Sequence, residues 1–367
     1  MKVINFLGDK IGSGGIESFV ANASEGMLEN SIEFIVLINY KTNNIYERKM
    51  VDNGAKVVCL LKRKSSRIRK LLAFTKYIKK DPNAILYLHA SSQAYYIHAF
   101  IARMCGIKKI IYHIHSTPPP KSEGLRKIKD IILDIFFNRI PRMKIACSLE
   151  AGTYYYHGAS FKVILNGIDL ERFRFSEQNK HEVRQELNCG DKLIIGQIGR
   201  LAYQKNQIHT LHVLKKYVHE VDENVKVILI GEGADEEMLK EFVSRNNLDS
   251  YVIFIHPTKC IEKYYHAMDL LMFPSIYEGL GIVAIEAQAA GLPILCSERI
   301  VKEVFITDLA KKIELNDVDA WVDNWKSIGQ TILNRKECSN LGITKAMQAG
   351  FSLEKLRSSL VYIYKSI

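Results

Sequence analysis

Residues 192–233, KLIIGQIGRLAYQKNQIHTLHVLKKYVHEVDENVKVILIGEG, contain a short apolar run, an amphipathic segment and a second short apolar run. This order predicts a strand, a helix and a second strand. The same alternation runs along nearly the whole chain and is typical of βαβ units around a parallel sheet. Because it occurs in both halves, we predict an α/β protein with two Rossmann-like, doubly wound domains. Such domains bind ligands at the carboxyl ends of their strands, which predicts a site in a cleft across which the two face each other.

Length and charge locate the domain boundary. The 367 residues favour two domains over one. Residues 1–165 contain 26 Lys and Arg against 12 Asp and Glu, a balance of +14, whereas the counts of 25 and 28 in residues 166–367 give −3. We therefore predict one domain at residues 1–168 and a second at 169–351. A C-terminal helix at 352–367 is expected to pack back toward the first domain.

The composition excludes several classes of protein. Hydrophobic residues make up 47% of the chain and charged residues 25%, which is typical of a globular and not of a disordered protein. No apolar run reaches the roughly 18 residues of a membrane span, and the start, MKVINFLGD, lacks the pattern of a signal peptide. We therefore expect a cytoplasmic protein. Seven cysteines, an odd number without a Cys-x-x-Cys pair, indicate reduced and mostly buried thiols.

A glycine-rich turn follows the first predicted strand. Gly12, Gly14 and Gly15 stand where a helix begins, and glycines at such a place let the backbone approach a phosphate. The match to a dinucleotide fingerprint fails, because Glu17 stands at the third glycine position and the second strand is not followed by an acid. A phosphate-binding turn and an ordinary tight turn both remain open.

Two cations follow the first strand of the second half. Arg200 lies just past the strand and Lys205 lies five residues later, at the start of the next helix. An arginine fork and a lysine point charge on one loop suit a diphosphate. The alternative is a pair of solvated surface charges.

The strongest signal is FPSIYEGLGIVAIEAQAAGLP, residues 273–293. Its apolar spacing predicts a helix that starts near Leu280 and packs on a sheet, yet Glu286 lies within this mostly apolar run and needs a partner there. Glu278 precedes the Gly-Leu-Gly turn. Free N–H groups of residues 279–281 at the helix N-terminus can hold a phosphate, and each carboxylate can accept hydrogen bonds from sugar hydroxyls.

These residues resemble a known family. The signature PSxxEGLGxxxxEAxAxGLP around Glu278 and Glu286 is similar to that of the retaining glycosyltransferases of family 4, which have the GT-B fold. Further shared features, in the order of the family, are the turn at residues 14–17, Asn166-Gly167-Ile168-Asp169, Gly199-Arg200 with Lys205, and Gly231-Glu232-Gly233. They cover almost the whole chain, and the closest likeness is to bacterial enzymes that build exopolysaccharide and capsule repeat units.

The resemblance implies roles for individual positions. Glu286 would bind the ribose hydroxyls of a nucleotide sugar, and Glu278 would contact the transferred sugar. Arg200 and Lys205 would neutralise the diphosphate leaving group. The remaining donor-binding residues would act through their backbones and are Gly15, Gly199, Gly279, Leu280 and Gly281. The first domain would then bind the acceptor and the second the nucleotide sugar. The sequence departs from the family at His256-Pro257, where a glycine is usual near the base, so uracil is an expectation only.

Histidines end two strands of the first domain. His113 and His115 end KKIIYHIH, two residues apart and so on one face of the strand. The family usually has a functional histidine at this strand end, and we assign the role to His113, with His115 as the alternative. His89, at the end of AILYLH, is expected to be structural. Asp317-Val318-Asp319 spells a metal motif of the other glycosyltransferase fold, but its polar surroundings indicate solvated surface.

Two basic segments of the first domain could face a membrane. Residues 61–80 contain nine Lys and Arg and no acid. One helical stripe there holds the apolar residues Ile68, Leu71, Leu72 and Ile78, as expected of a helix on anionic lipid. Residues 118–144 join a proline-rich loop to an apolar helix with a basic start. Both segments could equally be ordinary helices packed on the sheet.

The motifs lead to a functional hypothesis. We expect a glycosyltransferase that moves a hexose or N-acetylhexosamine from a UDP-sugar to a lipid-linked oligosaccharide, with retention of configuration, at the inner face of the cell membrane. No metal and no cofactor are expected, because cations and a helix N-terminus stabilise the leaving diphosphate. The alternative is a nucleotide-sugar epimerase of the same architecture. A nucleic-acid binder is disfavoured because the basic half contains no RNA or DNA motif.

Overall fold

The computed structural model describes residues 1–12, 14–117, 128, 132, 138–329 and 334–367. It divides into two compact units. The first contains Met1–Ile168 and Ser352–Ile367, and the second contains Asp169–Phe351. Each is a Rossmann-like α/β unit around a parallel sheet, as the alternation of strands and helices predicted.

The described part of the first unit has a seven-stranded parallel sheet in the order β3-β2-β1-β4-β5-β6-β7. Its strands are β1 (Lys2–Gly8), β2 (Glu33–Ile38), β3 (Lys56–Cys59), β4 (Ile85–Ala90), β5 (Ile110–Ile114), β6 (Met143–Ala146) and β7 (Lys162–Val163). Its helices before residue 168 are α1 (Gly15–Ser24), α2 (Ile45–Asp52), α3 (Arg67–Ile78), α4 (Tyr96–Met104) and α5 (Leu149–Tyr156), with a 3-10 turn at Gln93–Tyr95. The strand order reverses between β1 and β4, which makes their carboxyl ends the switch point of this sheet.

The C-terminal helix (Leu353–Ser366) packs on the core of this first unit. Its buried residues Leu356, Leu360 and Ile363 join the apolar cluster that lies behind β1 and β2. Polar contacts fix the return of the chain, since the Asn22 amide donates to the Gly167 carbonyl at 2.9 Å and Arg357 Nε donates to the Asn22 carbonyl at 3.2 Å. A Cβ on Gly167 would lie 2.7 Å from the Leu356 Cβ, so only glycine permits this close packing.

The described part of the second unit has a six-stranded parallel sheet in the order β10-β9-β8-β11-β12-β13. Its strands are β8 (Leu193–Ile198), β9 (Val225–Ile230), β10 (Val252–Ile255), β11 (Leu270–Phe273), β12 (Ile294–Ser297) and β13 (Ala310–Ile313). Its helices are α6 (Glu177–Glu186), α7 (Gln207–Glu220), α8 (Glu236–Arg245), α9 (Ile261–Ala267), α10 (Ile282–Ala289), α11 (Val318–Gly329) and α12 (Arg335–Ala349), with 3-10 turns at Glu171–Phe173 and Lys302–Val304. The order reverses between β8 and β11, so the switch point lies at their carboxyl ends.

The basic segment at residues 61–80 forms α3, but its predicted apolar stripe is divided. Ile68 and Leu72 are 70% and 62% exposed, whereas Ile78 is fully buried together with Phe74. The prediction that Ile78 faces outward is therefore wrong, because the last turn of α3 packs against the unit. Most of the second basic segment, residues 118–144, falls outside the described residues. Among the residues that the structure describes, no helix has the length and apolar character to cross a membrane.

The structure also locates the Asp317-Val318-Asp319 motif and the seven cysteines. Asp317 and Asp319 are both exposed, as predicted; the Asp317 carboxylate accepts from the Ala320 N–H at the start of α11, and Asp319 pairs with Lys216. All seven cysteines are free thiols, but only Cys147, Cys189 and Cys296 are buried. The expectation that most are buried is wrong, since Cys59 and Cys260 lie in exposed positions at the ends of elements.

Candidate functional site

The predicted residues of the second unit gather at its switch point. Gly199 and Arg200 directly follow β8, and the loop that carries Glu278 follows β11. Because β8 and β11 are neighbouring parallel strands, both loops leave the sheet at the same edge. The site is therefore built from two crossover connections that are more than 70 residues apart in the chain.

A buried ion pair joins the two loops. Lys205 Nζ lies 2.6 Å from Glu278 Oε1, and the two side chains are only 17% and 8% exposed. The aliphatic part of Lys205 also packs against the loop after β8, since a Cβ on Gly199 would lie 3.1 Å from Lys205 Cε. The Lys205 ammonium group lies 5.2 Å from the centroid of the Phe273 ring. Removing one partner of a buried pair leaves an uncompensated charge, which typically costs about 3–5 kcal/mol.

The turn before α10 requires glycine. Gly281 has a φ of 86°, and a Cβ there would lie 2.9 Å from the Phe273 ring. Gly279 and Leu280 precede it and are buried. The helix begins at Ile282, two residues later than the apolar spacing predicted, because the left-handed residue at 281 cannot belong to the helix. The first turn of α10 therefore directs its N–H groups toward the loop that carries Glu278.

Glu286 lies among apolar residues and has a hydrogen-bond partner there. Its Oε2 accepts a hydrogen bond of 2.6 Å from the hydroxyl of Tyr265, a fully buried residue of α9. Loss of water raises the pKa of the Glu286 carboxyl, while the Tyr265 hydrogen bond and the positive charges of Arg172 and Lys205 act in the opposite direction. Burial, and to a lesser extent the Glu286 carboxylate, raise the pKa of the Tyr265 phenol well above its ordinary value.

Sequence reasoning missed Tyr265 and Arg172. Arg172 Nη2 lies 2.6 Å from Glu262 Oε2 and also donates to the Lys259 carbonyl, so it ties the chain after residue 168 to the start of α9. Tyr265 stands 21 residues before Glu286, and no spacing rule connects a buried phenol to a carboxylate on another helix. Only the packing of α9 beside α10 brings the two together.

Arg200 differs from Lys205 in its surroundings. Its side chain is exposed, and within the described ranges it has no hydrogen bond or ion pair, while its backbone carbonyl accepts from Gln207 Nε2 at 2.9 Å. Beside it, a Cβ on Gly231 would lie 2.0 Å from the Gly199 carbonyl oxygen. The glycines at 199 and 231 therefore allow the loops after β8 and β9 to touch. The Arg200 guanidinium beside them is available to an anion because it is exposed.

The glycine turn of the first unit lies at the switch point of the other sheet. Gly15 begins α1 with Gly14 as its N-cap, and the Gly12 N–H donates to Glu17 Oε1 at 3.0 Å. Glu17 thus holds the turn itself. A Cβ on Gly15 would lie 3.9 Å from Asn166 Nδ2, so the motif Asn166-Gly167 of the sequence packs beside this helix start.

The three strand-end histidines of the first unit form one cluster. His113 and His115 lie side by side, with ring centroids 3.7 Å apart, and both rings lie edge-on to the Phe19 ring at 5.0 Å. His113 is fully buried and contacts the Tyr87 hydroxyl at 2.9 Å, whereas His115 is partly exposed. Burial holds the pKa values of His89 and His113 well below the ordinary value and lowers that of His115 to about 3. All three imidazoles are therefore neutral at pH 7.

A separate groove lies at the opposite edge of the second sheet. Its volume is about 1150 Å³, and it includes Leu193 at the first residue of β8 and Asp269 just before β11. None of the predicted site residues lines it. The groove therefore does not belong to the site at the carboxyl ends of β8 and β11.

Comparison with known proteins agrees with this arrangement. Residues 179–337 match the family model of glycosyl transferases group 1. EpsF of Bacillus subtilis (strain 168), provisionally named a glycosyltransferase, is 26% identical over 306 residues, which cover 79% of this chain and 78% of EpsF. The UDP-Gal:alpha-D-GlcNAc-diphosphoundecaprenol alpha-1,3-galactosyltransferase of Escherichia coli is 26% identical over 274 residues, 70% of this chain and 69% of the relative.

The solved structures show the same fold. Anabaena Alr3699/HepE in complex with UDP-glucose superposes with a TM-score of 0.80 at 17% identity, over 100% of both chains. WaaG, a glycosyltransferase involved in lipopolysaccharide biosynthesis, superposes with a TM-score of 0.75 at 14% identity, also over 100% of both chains. The two Rossmann-like units therefore have the GT-B fold. Residues 179–337, which match the family model of glycosyl transferases group 1, lie within the second of these units.

The hydrogen bond between Tyr265 and Glu286 leads to a first prediction. It stabilises the ionised carboxylate, so Tyr265→Phe should raise the pKa of Glu286 further. The measurement is a pH titration of the glutamate side-chain carboxyl signals by ¹³C NMR, with Glu286 assigned through Glu286→Gln. Tyr217→Phe, in a core tyrosine of the same unit whose ring packs against Trp325, is the matched control and should leave the Glu286 titration unchanged. An unchanged Glu286 pKa in Tyr265→Phe would contradict the contact.

Proposed function

We propose that this protein transfers a hexose or N-acetylhexosamine from a UDP-sugar to a lipid-linked oligosaccharide during the synthesis of a bacterial cell-surface polysaccharide such as an exopolysaccharide, a capsule or an O-antigen. We assign it to the retaining enzymes of family 4. The observation that carries the proposal is the buried Lys205–Glu278 pair beside the glycine turn of α10, with Glu286 on the same helix. The relatives support it, since one is named for a galactosyl transfer from UDP-Gal to a diphosphoundecaprenol-linked sugar and another, AmsD of Erwinia amylovora, for amylovoran biosynthesis.

The donor would lie across α10. Tyr265 occupies Oε2 of Glu286, which leaves Oε1 to accept from the ribose hydroxyls. Backbone N–H groups around Gly279, Leu280 and Gly281 would hold a phosphate at the helix N-terminus. Gly199 would let the second phosphate approach the loop after β8, and Gly15 would do the same at the start of α1. Uracil as the base rests on the family resemblance and on a solved relative that holds UDP-glucose.

The leaving group would be stabilised by charge. Arg200 has an exposed guanidinium, and Lys205 reaches the same edge of the sheet. A bound diphosphate would share the Lys205 ammonium with Glu278, which is then placed to contact the transferred sugar. Positive groups that are already oriented before the reaction cost no reorganisation when the diphosphate departs. We therefore propose that transfer needs no divalent metal and no cofactor.

Two histidines, His113 and His115, are candidates for contact with the transferred sugar. The resemblance assigns contact with the sugar to His113, but the His113 ring lies fully in the core against Tyr87. His115 follows the last residue of β5 and is partly exposed. The greater exposure favours His115 as the residue that reaches a ligand, and substitution of each separately distinguishes them.

The acceptor is proposed to be held at the inner face of the cell membrane. On α3, Ile68 and Leu72 are exposed among basic residues, and each basic residue near an anionic surface contributes about 1 kcal/mol. Lys70 is committed in part to Asp9, at 2.7 Å, so the other cations of residues 61–80 would provide most of the attraction. The protein would then be cytoplasmic and peripheral on the membrane, with a lipid-linked acceptor near α3.

Arg200 provides the test of the reaction. Arg200→Ala should lower kcat/KM roughly 10- to 1000-fold, because the departing diphosphate loses a charged donor. The assay follows UDP release from a panel of UDP-sugars with a lipid extract as acceptor source. Arg299→Ala removes an exposed arginine that pairs with Glu298 in the same unit and should not change the rate.

Three outcomes of this assay would contradict the proposal. Activity that is lost in EDTA and restored by Mn²⁺ would contradict metal-independent leaving-group stabilisation. Consumption of UDP-sugar without release of UDP would favour the epimerase. An unchanged rate in Arg200→Ala would remove this residue from the diphosphate site.

Glu286 provides the test of the donor site. Glu286→Ala should weaken UDP binding by about 1.5–3 kcal/mol for each charged hydrogen bond lost to the ribose. Glu278→Ala should harm turnover more than UDP affinity. Calorimetric titration with UDP gives both affinities, and Glu220→Ala, at the end of α7, is the exposed control. If UDP binds Glu286→Ala as tightly as the parent protein, the ribose assignment is wrong.

Vesicle flotation tests the membrane proposal. Recovery with anionic vesicles should be high at low salt and fall at high salt, since salt screens the attraction. Ile68→Asp and Leu72→Asp should each reduce recovery, whereas Leu341→Asp, at a 52% exposed position of α12, should not. Equal recovery with neutral and anionic vesicles, or none with either, would leave α3 as an ordinary packed helix.

A further inference from the structure

Three imidazoles meet at the carboxyl ends of β4 and β5. His89 and His113 are register partners on these neighbouring strands, and His115 follows β5. One nitrogen from each ring can be chosen so that the three atoms all lie within 4.8 Å of one another. No carboxylate belongs to this group of ligand atoms among the described residues. The cluster is thus a set of neutral nitrogen donors.

Asn5 determines the tautomer of His89. The Asn5 amide nitrogen donates to the Ile35 carbonyl at 3.3 Å, which turns its oxygen toward His89 Nε2 at 3.1 Å. An amide oxygen only accepts, so His89 Nε2 carries the proton. In a neutral imidazole the other nitrogen, Nδ1, is then a bare lone pair.

The tautomer of His89 in turn determines that of His115. His89 Nδ1 and His115 Nε2 are 3.0 Å apart, and because Nδ1 accepts, Nε2 of His115 must donate. His115 Nδ1 is consequently a lone pair, and this atom is buried without a partner in the described part of the chain. The His115 ring packs against the rings of His113 and Phe19, with centroids 3.7 and 5.0 Å away, and among the described residues neither makes a hydrogen bond to His115 Nδ1.

His113 also has a buried ring nitrogen without a partner among the described residues. Its Nδ1 lies 2.9 Å from the Tyr87 hydroxyl, and its Nε2 is buried and has no partner among the residues described. A buried polar atom without a hydrogen bond costs about 1–3 kcal/mol. Two such nitrogens on adjacent rings therefore indicate a ligand that satisfies both.

We propose that His89, His113 and His115 form a binding site for one divalent transition-metal ion, Zn²⁺ in the first instance. Imidazole nitrogens suit Zn²⁺, and three of them leave a fourth position for water. The outer partners fit as well, since a ligating histidine is oriented through its other nitrogen, as Asn5 does for His89 and Tyr87 for His113.

The geometry requires an adjustment of the rings. Zn–N bonds of about 2.0–2.1 Å in a tetrahedral site place the ligand nitrogens about 3.4 Å apart, so ligand atoms that lie within 4.8 Å of one another must approach by up to about 1.4 Å. The hydrogen bond between His89 and His115 is given up when His89 Nδ1 binds the metal. The site is separate from leaving-group stabilisation in the second unit. It goes beyond the proposed function, which assigns contact with the sugar to one of these histidines but no metal to the cluster.

Metal titration of the full chain tests the site. After treatment with a chelator and its removal, Co²⁺ should bind once per chain with visible ligand-field absorption, and Zn²⁺ should displace it in competition with a chromophoric chelator. His113→Ala and His115→Ala should each weaken Zn²⁺ binding more than about 10-fold, and Asn5→Ala about 10- to 100-fold through the orientation of His89. His219→Ala, at an exposed position of α7, is the control and should have no effect.

If the variants fail to fold, NMR of the parent protein provides a second measurement. Imidazole ¹⁵N NMR of the parent protein should show His115 protonated at Nε2 alone, and Zn²⁺ should shift the His113 and His115 signals together. Binding below one ion per chain, or affinity that is the same in His113→Ala and His115→Ala as in the parent, would overturn the proposal. So would Zn²⁺ shifts confined to other histidines, which would leave the cluster as a hydrogen-bonded chain alone.

Discussion

The parallel direction of every strand is the constraint on which the site of this protein depends. In each described sheet the strands run the same way, so every crossover connection leaves from one edge. The strand order reverses between β8 and β11 in one sheet and between β1 and β4 in the other, and the loops diverge at those points. Residues as distant in sequence as Arg200 and Glu278 therefore come to one edge, and the same reason brings His89 and His113 together.

The charged side chains at this edge of the second sheet differ in how far they are exposed to solvent. The Lys205–Glu278 pair is largely buried, while Arg200 is exposed. A buried pair that has lost one member is costly, so an anionic ligand that draws on Lys205 must also satisfy Glu278, for example through a sugar hydroxyl. This coupling would link diphosphate binding to sugar binding in the donor that we propose. Glu286 adds a second carboxylate acceptor, whose Oε2 accepts a hydrogen bond from the Tyr265 hydroxyl.

The two units hold their polar groups differently. In the second unit the two candidate carboxylates are paired, Glu278 with Lys205 and Glu286 with Tyr265. In the first unit the histidine cluster is left with two unpartnered nitrogens within the described chain, at His113 and His115. Burial keeps these rings neutral, so they offer lone pairs and not positive charge. Their chemistry is therefore that of acceptors and metal ligands.

The sequence by itself determined the α/β class, the two sheets and the loops that carry Arg200, Lys205, Glu278 and Gly281, because apolar periodicity and glycine turns are local properties of the chain. Glu286 was also visible, since a carboxylate inside an apolar helix is conspicuous. Its partner Tyr265 was not, nor were the role of Arg172 and the burial of Ile78, because these depend on which helix packs beside which. The choice between His113 and His115 as the functional residue also depends on packing. Alternation places both rings on one face of a strand, but only the packed helices and neighbouring strands decide which ring is enclosed and which keeps contact with solvent.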